Sequence, residues 1–306
     1  PHNKVSSDSE YFVIPNLPGE IRMTRNQLPD SLAVHQKSIN LTGFYDEMRE
    51  SEAKSYGIIV NSFYELEQVY ADYYMDVLKR KVWLIGPRFL CNRDAKEKGK
   101  RGNEVSGDEG ELLLKWLDTK KENSVVYVCY GTVTNSPDSQ LREIAIGLEA
   151  SGHQFLWVVR RNKQEVDKEW LPEGFEKRMK GKGLIIRGWV PQVLIFEHQA
   201  IGAFVTHCGW NSTLEAVIAG VPMVTMPVAA EQFFNEKFVT EVLQIGVPVG
   251  VKKWVRMVGD TTKWEAVEKA VKRIMAEEEA IEMRNKVKVL SQQARLAVEE
   301  GGSSYS

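Results

Sequence analysis

The feature that most constrains the fold is a regular alternation of short apolar runs and amphipathic stretches after Ser124. Val125–Cys129 is a continuous run of β-branched and aromatic residues, which is typical of a strand covered on both faces. Further runs of this kind are separated by helical patterns, short connections and glycines placed after helix ends, such as Gly152 and Gly220. Repeated strand-helix units of this composition predict a parallel, doubly wound α/β sheet.

The spacing of apolar residues predicts individual elements along the whole chain. The predicted strands are residues 57–62, 82–85, 125–129, 154–159, 184–186, 202–206 and 223–226. The predicted helices are residues 44–55, 64–79, 137–151, 174–180, 192–197, 212–219, 232–243, 264–278 and 280–300. We expect Pro137 at the first position of its helix with Ser136 as the N-cap, and a loop over the Pro-rich residues 11–30.

Changes in composition divide the chain into three segments. Residues 92–111 carry alternating charges and almost no apolar side chain, which predicts a flexible linker. Residues 1–91 are interpreted as the latter part of an N-terminal domain, and residues 112–306 as a C-terminal domain. A chain of 306 residues with 43% hydrophobic content is long enough to form two domains with cores of their own.

The overall charge and the cysteines exclude several classes of protein. A formal net charge of −2 lacks the basic character of nucleic-acid-binding proteins, so no nucleic-acid partner is expected. No apolar run approaches the roughly 20 residues that a membrane span requires. The three cysteines are odd in number and scattered, and they match no zinc-binding pattern with the histidines. This usage indicates a reducing compartment, and we expect a cytoplasmic protein.

Between Gly188 and Gln232, polar and aromatic residues come directly after the predicted strands. Ligands of doubly wound sheets bind at these carboxyl ends of the strands. His207 lies in a predicted strand-to-helix turn, and Gly209 lets a ligand approach the backbone. Asn211 and Ser212 can either cap the following helix or donate hydrogen bonds to an anion. The turn therefore has two interpretations, a capped helix and an anion site.

Three further groups in this stretch suit the remaining parts of a nucleotide sugar. The indole of Trp189 offers a flat face to a base, although an isolated Trp is more often part of a core. Glu215 can complete a capping box with Ser212 or accept hydrogen bonds from a ribose diol. Glu231 and Gln232 suit the hydroxyls of a hexose, or simply begin a helix. Together these groups describe a nucleotide-sugar site.

The stretch from Trp189 to Gln232 resembles the signature box of plant family-1 UDP-sugar glycosyltransferases. The resemblance rests on "WVPQ", "HCGWNS", Glu215, "GVPM" and the closing acid-Gln pair. Flanking segments such as "GIIVNSFYELE" and "WLDTKKENSVVYVCYGT" are similar to the same family, closest to the branch that acts on triterpenoid saponins and flavonoids. The resemblance implies a GT-B fold, with two Rossmann-like domains of which the first is only partly present.

The resemblance also implies a role for each residue of the box. Trp189 would stack on uracil, Val190 and Gln192 would contact uracil and ribose, and Glu215 would hold the ribose hydroxyls. The diphosphate would be bound by the turn that contains His207, Gly209, Asn211 and Ser212, joined by the loop of Gly131, Thr132 and Thr134. The sugar would be recognised by the backbone of Trp210 together with Glu231 and Gln232.

The implied reaction is an inverting, metal-independent transfer of a hexose from a UDP-sugar to a hydroxyl of a plant secondary metabolite such as a triterpenoid or flavonoid. In this family a Gln at the position of Gln232 favours glucose as the donor sugar. Galactose and glucuronate are the alternatives. The UDP-sugar is a co-substrate, so neither a cofactor nor a metal is expected, and we expect a monomer.

The catalytic groups that the family uses are not recognisable in this sequence. The family's general base is a His near the N-terminus, oriented by an Asp, and both are expected upstream of Pro1. The resemblance also implies that the chain ends before a last helix, which in this fold crosses back to the first domain. We therefore expect this chain alone to be inactive in transfer, with no catalytic residue of its own.

Two other functions compete with this interpretation. The chain could be a nucleotide-sugar-binding fragment without catalytic activity. An NAD-dependent dehydrogenase would share the strand-helix pattern, but no G-x-G-x-x-G opens a helix after a strand in this sequence.

Overall fold

The computed structural model describes residues 4–29, 32, 41–91, 107–131, 137–159, 170–255, 262–276 and 278–305. The chain forms two compact units, Pro1–Asn92 with Gln292–Ser306, and Arg93–Ser291. Among the described residues, no helix combines the length and the apolar character needed to cross a bilayer.

The first unit contains two small sheets, and two helices lie between their strands. Strands β1 (Tyr11–Val13) and β2 (Arg22–Thr24) form an antiparallel pair, and β3 (Ile58–Val60) and β4 (Val82–Leu84) form a parallel pair. Helix α1 (Leu41–Lys54) precedes β3, and α2 (Tyr64–Asp72) continues into a π-helical turn at Tyr73–Val77.

The antiparallel pair corrects the sequence-based expectation, because residues 11–30 do not form a loop throughout. Phe12 pairs with Met23, and Met23 is fully buried beside the buried Ile21. Each strand has only three residues, which is too short for a period-two pattern to be recognised among the prolines.

A six-stranded parallel sheet forms the centre of the second unit. Its strands are β5 (Val125–Cys129), β6 (Gln154–Val159), β7 (Gly183–Arg187), β8 (Ile201–Thr206), β9 (Met223–Thr225) and β10 (Gly246–Pro248). Their spatial order is β10-β9-β8-β5-β6-β7. The chain therefore winds in one direction from β5 and in the other from β8, which confirms the predicted doubly wound sheet.

Helices precede, connect and follow these strands. They are α3 (Gly107–Asp118), α4 (Asp138–Ser151), α5 (Phe175–Arg178), α6 (Gln192–Phe196), α7 (Trp210–Ala219), α8 (Gln232–Lys237), α9 (Trp264–Ala276) and α10 (Glu278–Ala297). The strand side chains Tyr127, Val128, Trp157 and Phe204 are fully buried, as expected for parallel strands between two helical layers.

Several details differ from the sequence-based prediction. Helix α4 begins at Asp138 with the extended Pro137 as its N-cap, so the predicted N-cap at Ser136 is wrong. Helix α3 begins at Gly107, so residues 107–111 are helical rather than linker, and residues 92–106 lie outside the described residues. Strand β10 was not predicted, because its three residues include Gly246 and Pro248, which usually interrupt strands.

Candidate functional site

The order of the strands defines where a ligand binds in the second unit. Strands β5 and β8 are neighbours, with Cys129 paired to Thr206, and the chain leaves them in opposite directions along the sheet. This is the topological switch point at which doubly wound sheets form a crevice outside their carboxyl ends. The predicted site residues Gly131 and His207 each lie within two positions of these strand ends.

The imidazole of His207 lies between two glycines of these turns. A Cβ atom added to Gly131 would lie 2.7 Å from Cε1 of His207, and one added to Gly209 would lie 2.5 Å from Nε2. Gly131 also has φ +71°, which disfavours other residues. Both glycines are therefore needed to bring the two turns and the imidazole together.

Burial keeps His207 neutral. It lowers the pKa of His207 from 6.5 to about 4, although the nearby Glu231 acts in the opposite direction. Within the described part of the chain, Nδ1 of His207 is buried and has no hydrogen-bond partner. At neutral pH the ring therefore offers an N–H donor to a ligand rather than a full positive charge.

Three of the predicted site residues are joined by direct hydrogen bonds. Nε2 of Gln192 donates to Oε2 of Glu215 at 2.7 Å and to Oγ of Ser212 at 3.2 Å. Gln192 is the first residue of α6, while Ser212 and Glu215 lie one turn apart on α7. The amide of Gln192 thus holds a carboxylate and a hydroxyl side by side.

This arrangement rules out the helix-capping interpretations of the turn after β8. Helix α7 begins at Trp210 with Gly209 as its N-cap and has no side-chain cap, so neither Asn211 nor Ser212 caps it. The capping box between Ser212 and Glu215 is also wrong, because both side chains bond to Gln192 instead. The capping interpretations fail because the polar pair lies inside the first turn rather than before it.

The loop after β9 is tied to the turn after β8. Oε1 of Glu231 accepts a hydrogen bond from the backbone N–H of Trp210 at 3.4 Å. Nδ2 of Asn235 donates to the carbonyl oxygen of Cys208 at 2.8 Å and to Oε1 of Glu231 at 3.4 Å. Asn235 was missed in the sequence, although its position three residues after Gln232 puts it on the same helical turn.

Gln232, which is predicted to contact the sugar, makes structural hydrogen bonds. Its Oε1 accepts hydrogen bonds from the backbone N–H groups of Val228 and Ala229 at 2.8 and 2.9 Å. One residue after Asn235, Glu236 is buried and accepts a hydrogen bond from Oγ1 of Thr225 at 2.8 Å. Burial raises the pKa of Glu236 to about 7. These bonds fix the start of α8 against the end of β9.

The remaining predicted residues are less directly connected. Trp189 is half-buried two residues after β7 and is followed by the buried Val190, so both stand at the carboxyl end of that strand. Thr132 and Thr134 lie outside the described residues. In the ranges that the structure describes, no three or more His, Cys, Asp or Glu side chains form a cluster suited to a metal ion.

Known proteins match both the sequence and the structure. Residues 30–290 match the family described as UDP-glucoronosyl and UDP-glucosyl transferase. The UDP-glucose flavonoid 3-O-glucosyltransferase 7 of Fragaria ananassa is 58% identical over 313 residues, covering 100% of this chain and 63% of that protein.

Two solved structures resemble the fold closely. The crystal structure of Glycyrrhiza uralensis UGT73P12 complexed with glycyrrhetinic acid 3-O-monoglucuronide has a TM-score of 0.90 and 45% identity, covering 100% of this chain and 62% of that one. Medicago truncatula UGT71G1 complexed with UDP-glucose has a TM-score of 0.81 and 34% identity, covering 98% and 62%. The chain thus spans slightly less than two thirds of the length of these proteins. The matches confirm the predicted GT-B fold and the resemblance to plant UDP-sugar glycosyltransferases.

The low pKa of His207 predicts that this residue does not titrate near neutral pH in the ligand-free protein. Burial favours the neutral imidazole, so the Cε1–H resonance of His207 should stay constant from pH 8 down to about 5.5 and move only around pH 4. An NMR titration tests this, with a His207→Gln variant to assign the resonance. A midpoint near the ordinary value of 6.5 would contradict the burial argument.

Proposed function

Because the chain belongs to the UDP-glucoronosyl and UDP-glucosyl transferase family, we propose that it is the donor-binding part of an enzyme that transfers a hexose from a UDP-sugar to a hydroxyl group of a small plant metabolite. The observation that carries this proposal is the linked set of Gln192, Ser212 and Glu215, together with the His207 turn at the switch point. Family membership makes the dehydrogenase alternative untenable.

The ribose is assigned to the carboxylate of Glu215. A carboxylate only accepts hydrogen bonds, and the two hydroxyls of a ribose are donors that suit it. Gln192 already orients this carboxylate from one side at 2.7 Å. Trp189, with Val190 beside it, is assigned to the uracil, because a half-buried indole at a strand end can stack on a base.

The diphosphate is assigned to the turns after β5 and β8. The N-terminus of the ten-residue helix α7 carries the partial positive charge of the helix dipole, which favours an anion. His207, whose imidazole lies between Gly131 and Gly209, would add a neutral N–H donor. These donors stabilise the negative charge that develops on UDP as it leaves, and they do so without a metal.

The hexose is assigned to Glu231 and Gln232. Oε1 of Gln232 is occupied by two backbone N–H groups, so its amide nitrogen is the group that would donate to a sugar hydroxyl. The exposed Glu231 would accept from sugar hydroxyls. Glucose is the proposed sugar, supported by the relative named as using UDP-glucose and the neighbour complexed with it.

In the proposed reaction, an acceptor hydroxyl attacks the anomeric carbon and loses its proton to a histidine base. A new bond forms between the hydroxyl oxygen and the anomeric carbon while the bond to the UDP oxygen breaks, which inverts the configuration. The proposed acceptors are flavonoids and triterpenoids, supported by the flavonoid in one relative's name and the glycyrrhetinic acid glucuronide bound to one neighbour. We further propose a cytoplasmic monomer.

The histidine base and its aspartate partner are proposed to lie upstream of Pro1. The parallel pair β3 and β4 supports a larger first domain, because parallel strands are normally covered on both faces. Here Ile59 is 69% exposed and Trp83 is 40% exposed. Further chain in the full-length protein would cover this apolar surface.

The donor assignment predicts that Glu215→Ala weakens UDP binding. Loss of the carboxylate leaves the ribose hydroxyls and Gln192 without an acceptor, at a cost of about 1–3 kcal/mol, or roughly 5- to 150-fold in Kd. Isothermal titration with UDP measures this, and Glu241→Ala, which removes an exposed carboxylate paired with Lys237, is the matched control. Equal affinities for the two variants would remove Glu215 from the site.

The position of the base predicts that this chain binds UDP but does not transfer sugar. General-base catalysis is worth about 10²–10⁴-fold, so its absence should put turnover below detection. UDP release from UDP-glucose is measured with flavonoid and triterpenoid acceptors, for this chain and for a full-length protein. Transfer by the short chain would overturn the assignment of the base, and an inactive full-length protein that binds UDP would favour the non-catalytic alternative.

A further inference from the structure

A buried tyrosine of the central strand β5 is hydrogen-bonded to a residue of the candidate site. Tyr127 is the third residue of β5 and is completely buried. Its hydroxyl lies 3.1 Å from Oε1 of Gln192, the residue whose amide nitrogen bonds to Glu215 and Ser212. A residue of the buried strand is therefore hydrogen-bonded to the group that links the two sides of the site.

Aromatic packing fixes the ring of Tyr127. Its ring stacks on Phe204 of β8 with centroids 5.1 Å apart, and meets Phe196 edge-on at 5.4 Å. Phe196 is the last residue of α6, the helix that begins with Gln192. The ring cannot move without disturbing the core, so the hydroxyl has a defined position opposite Gln192.

The direction of each hydrogen bond follows from the chemistry of the groups. An ionised carboxylate only accepts, so Glu215 requires the NH₂ group of Gln192 rather than its carbonyl oxygen. The carbonyl oxygen then faces Tyr127 and must receive a donor. Burial, with the neighbouring Cys129 thiol, raises the pKa of Tyr127, so the phenol keeps the proton that it donates.

We propose that Tyr127 is a positioning residue for UDP, because its hydroxyl holds the Gln192 amide in the orientation in which Gln192 binds Glu215 and Ser212. This inference rests on the proposed function, in which Glu215 and Ser212 contact the ribose and the diphosphate. Without the hydroxyl, the carbonyl oxygen of Gln192 is left buried without its donor, and the amide is held less firmly against Glu215 and Ser212.

The chain contains a matched control for this role. Tyr130 follows the same strand and is also buried, but its hydroxyl contacts Sδ of Met226 at 3.1 Å and not Gln192. Both Tyr→Phe changes remove one buried hydroxyl and keep the ring. A general effect of losing a buried hydroxyl would be similar in the two variants, whereas a positioning effect belongs to Tyr127 alone.

The first experiment compares UDP affinity in Tyr127→Phe and Tyr130→Phe by isothermal titration. We expect Kd to rise about 2- to 12-fold in Tyr127→Phe, as for the loss of one hydrogen bond, and to change less than about 2-fold in Tyr130→Phe. In a Gln192→Ala background, Tyr127→Phe should have no further effect, because its influence passes through Gln192. Equal effects of the two changes, or additive effects with Gln192→Ala, would overturn the proposal.

A second measurement separates this inference from the proposed function. The side-chain NH₂ resonances of Gln192, observed by ¹⁵N NMR without ligand, should shift in Tyr127→Phe and stay in place in Tyr130→Phe. Unchanged resonances in Tyr127→Phe would refute the hydrogen bond itself. If the resonances shift but the unsubstituted chain does not bind UDP, the proposed function fails and the role of Tyr127 in UDP binding fails with it.

Discussion

The parallel pairing of β5 with β8 is the constraint on which the rest of the site depends. The register sets Cys129 beside Thr206, so the turns that follow the two strands start at the same level of the sheet. The imidazole of His207 then falls against Gly131, and a Cβ at that position would come within 2.7 Å of it. A shift of this register would separate the two turns and leave no room for the imidazole between the glycines.

The hydrogen bonds around this pairing show how a rigid core orients polar groups. Tyr127 is fixed by aromatic packing, Gln192 is fixed by Tyr127, and Glu215 and Ser212 are held by Gln192. On the other side, Asn235 ties the turn after β8 to the loop after β9. Side chains that are already oriented lose little conformational entropy when a charged ligand binds. Donors held in place in this way can also stabilise the negative charge that develops on a leaving group.

The sequence predicted the sheet and the order of most elements, because apolar strands and glycine-rich turns leave strong local patterns, and it indicated the stretch of the candidate site. Contacts between residues far apart in the sequence could not be predicted from local patterns. Gln192 and Glu215 are 23 residues apart, and their bond depends on how α6 and α7 pack. Tyr127 looked like any aromatic residue of a buried strand, since its hydroxyl partner follows from the fold alone. The start of α7 was misplaced because Asn and Ser can lie inside a first turn as well as before it.

The central claim is that the carboxyl ends of β5, β7, β8 and β9 form one UDP-sugar site. The most direct test is to map backbone amide shifts of this chain by NMR as UDP is added. The largest shifts should occur at Gly131, Trp189 and from His207 to Glu215, with little change at the opposite ends of the strands, such as Val125 and Ile201. Binding that shifts amides elsewhere and leaves the His207 turn unchanged would contradict the account.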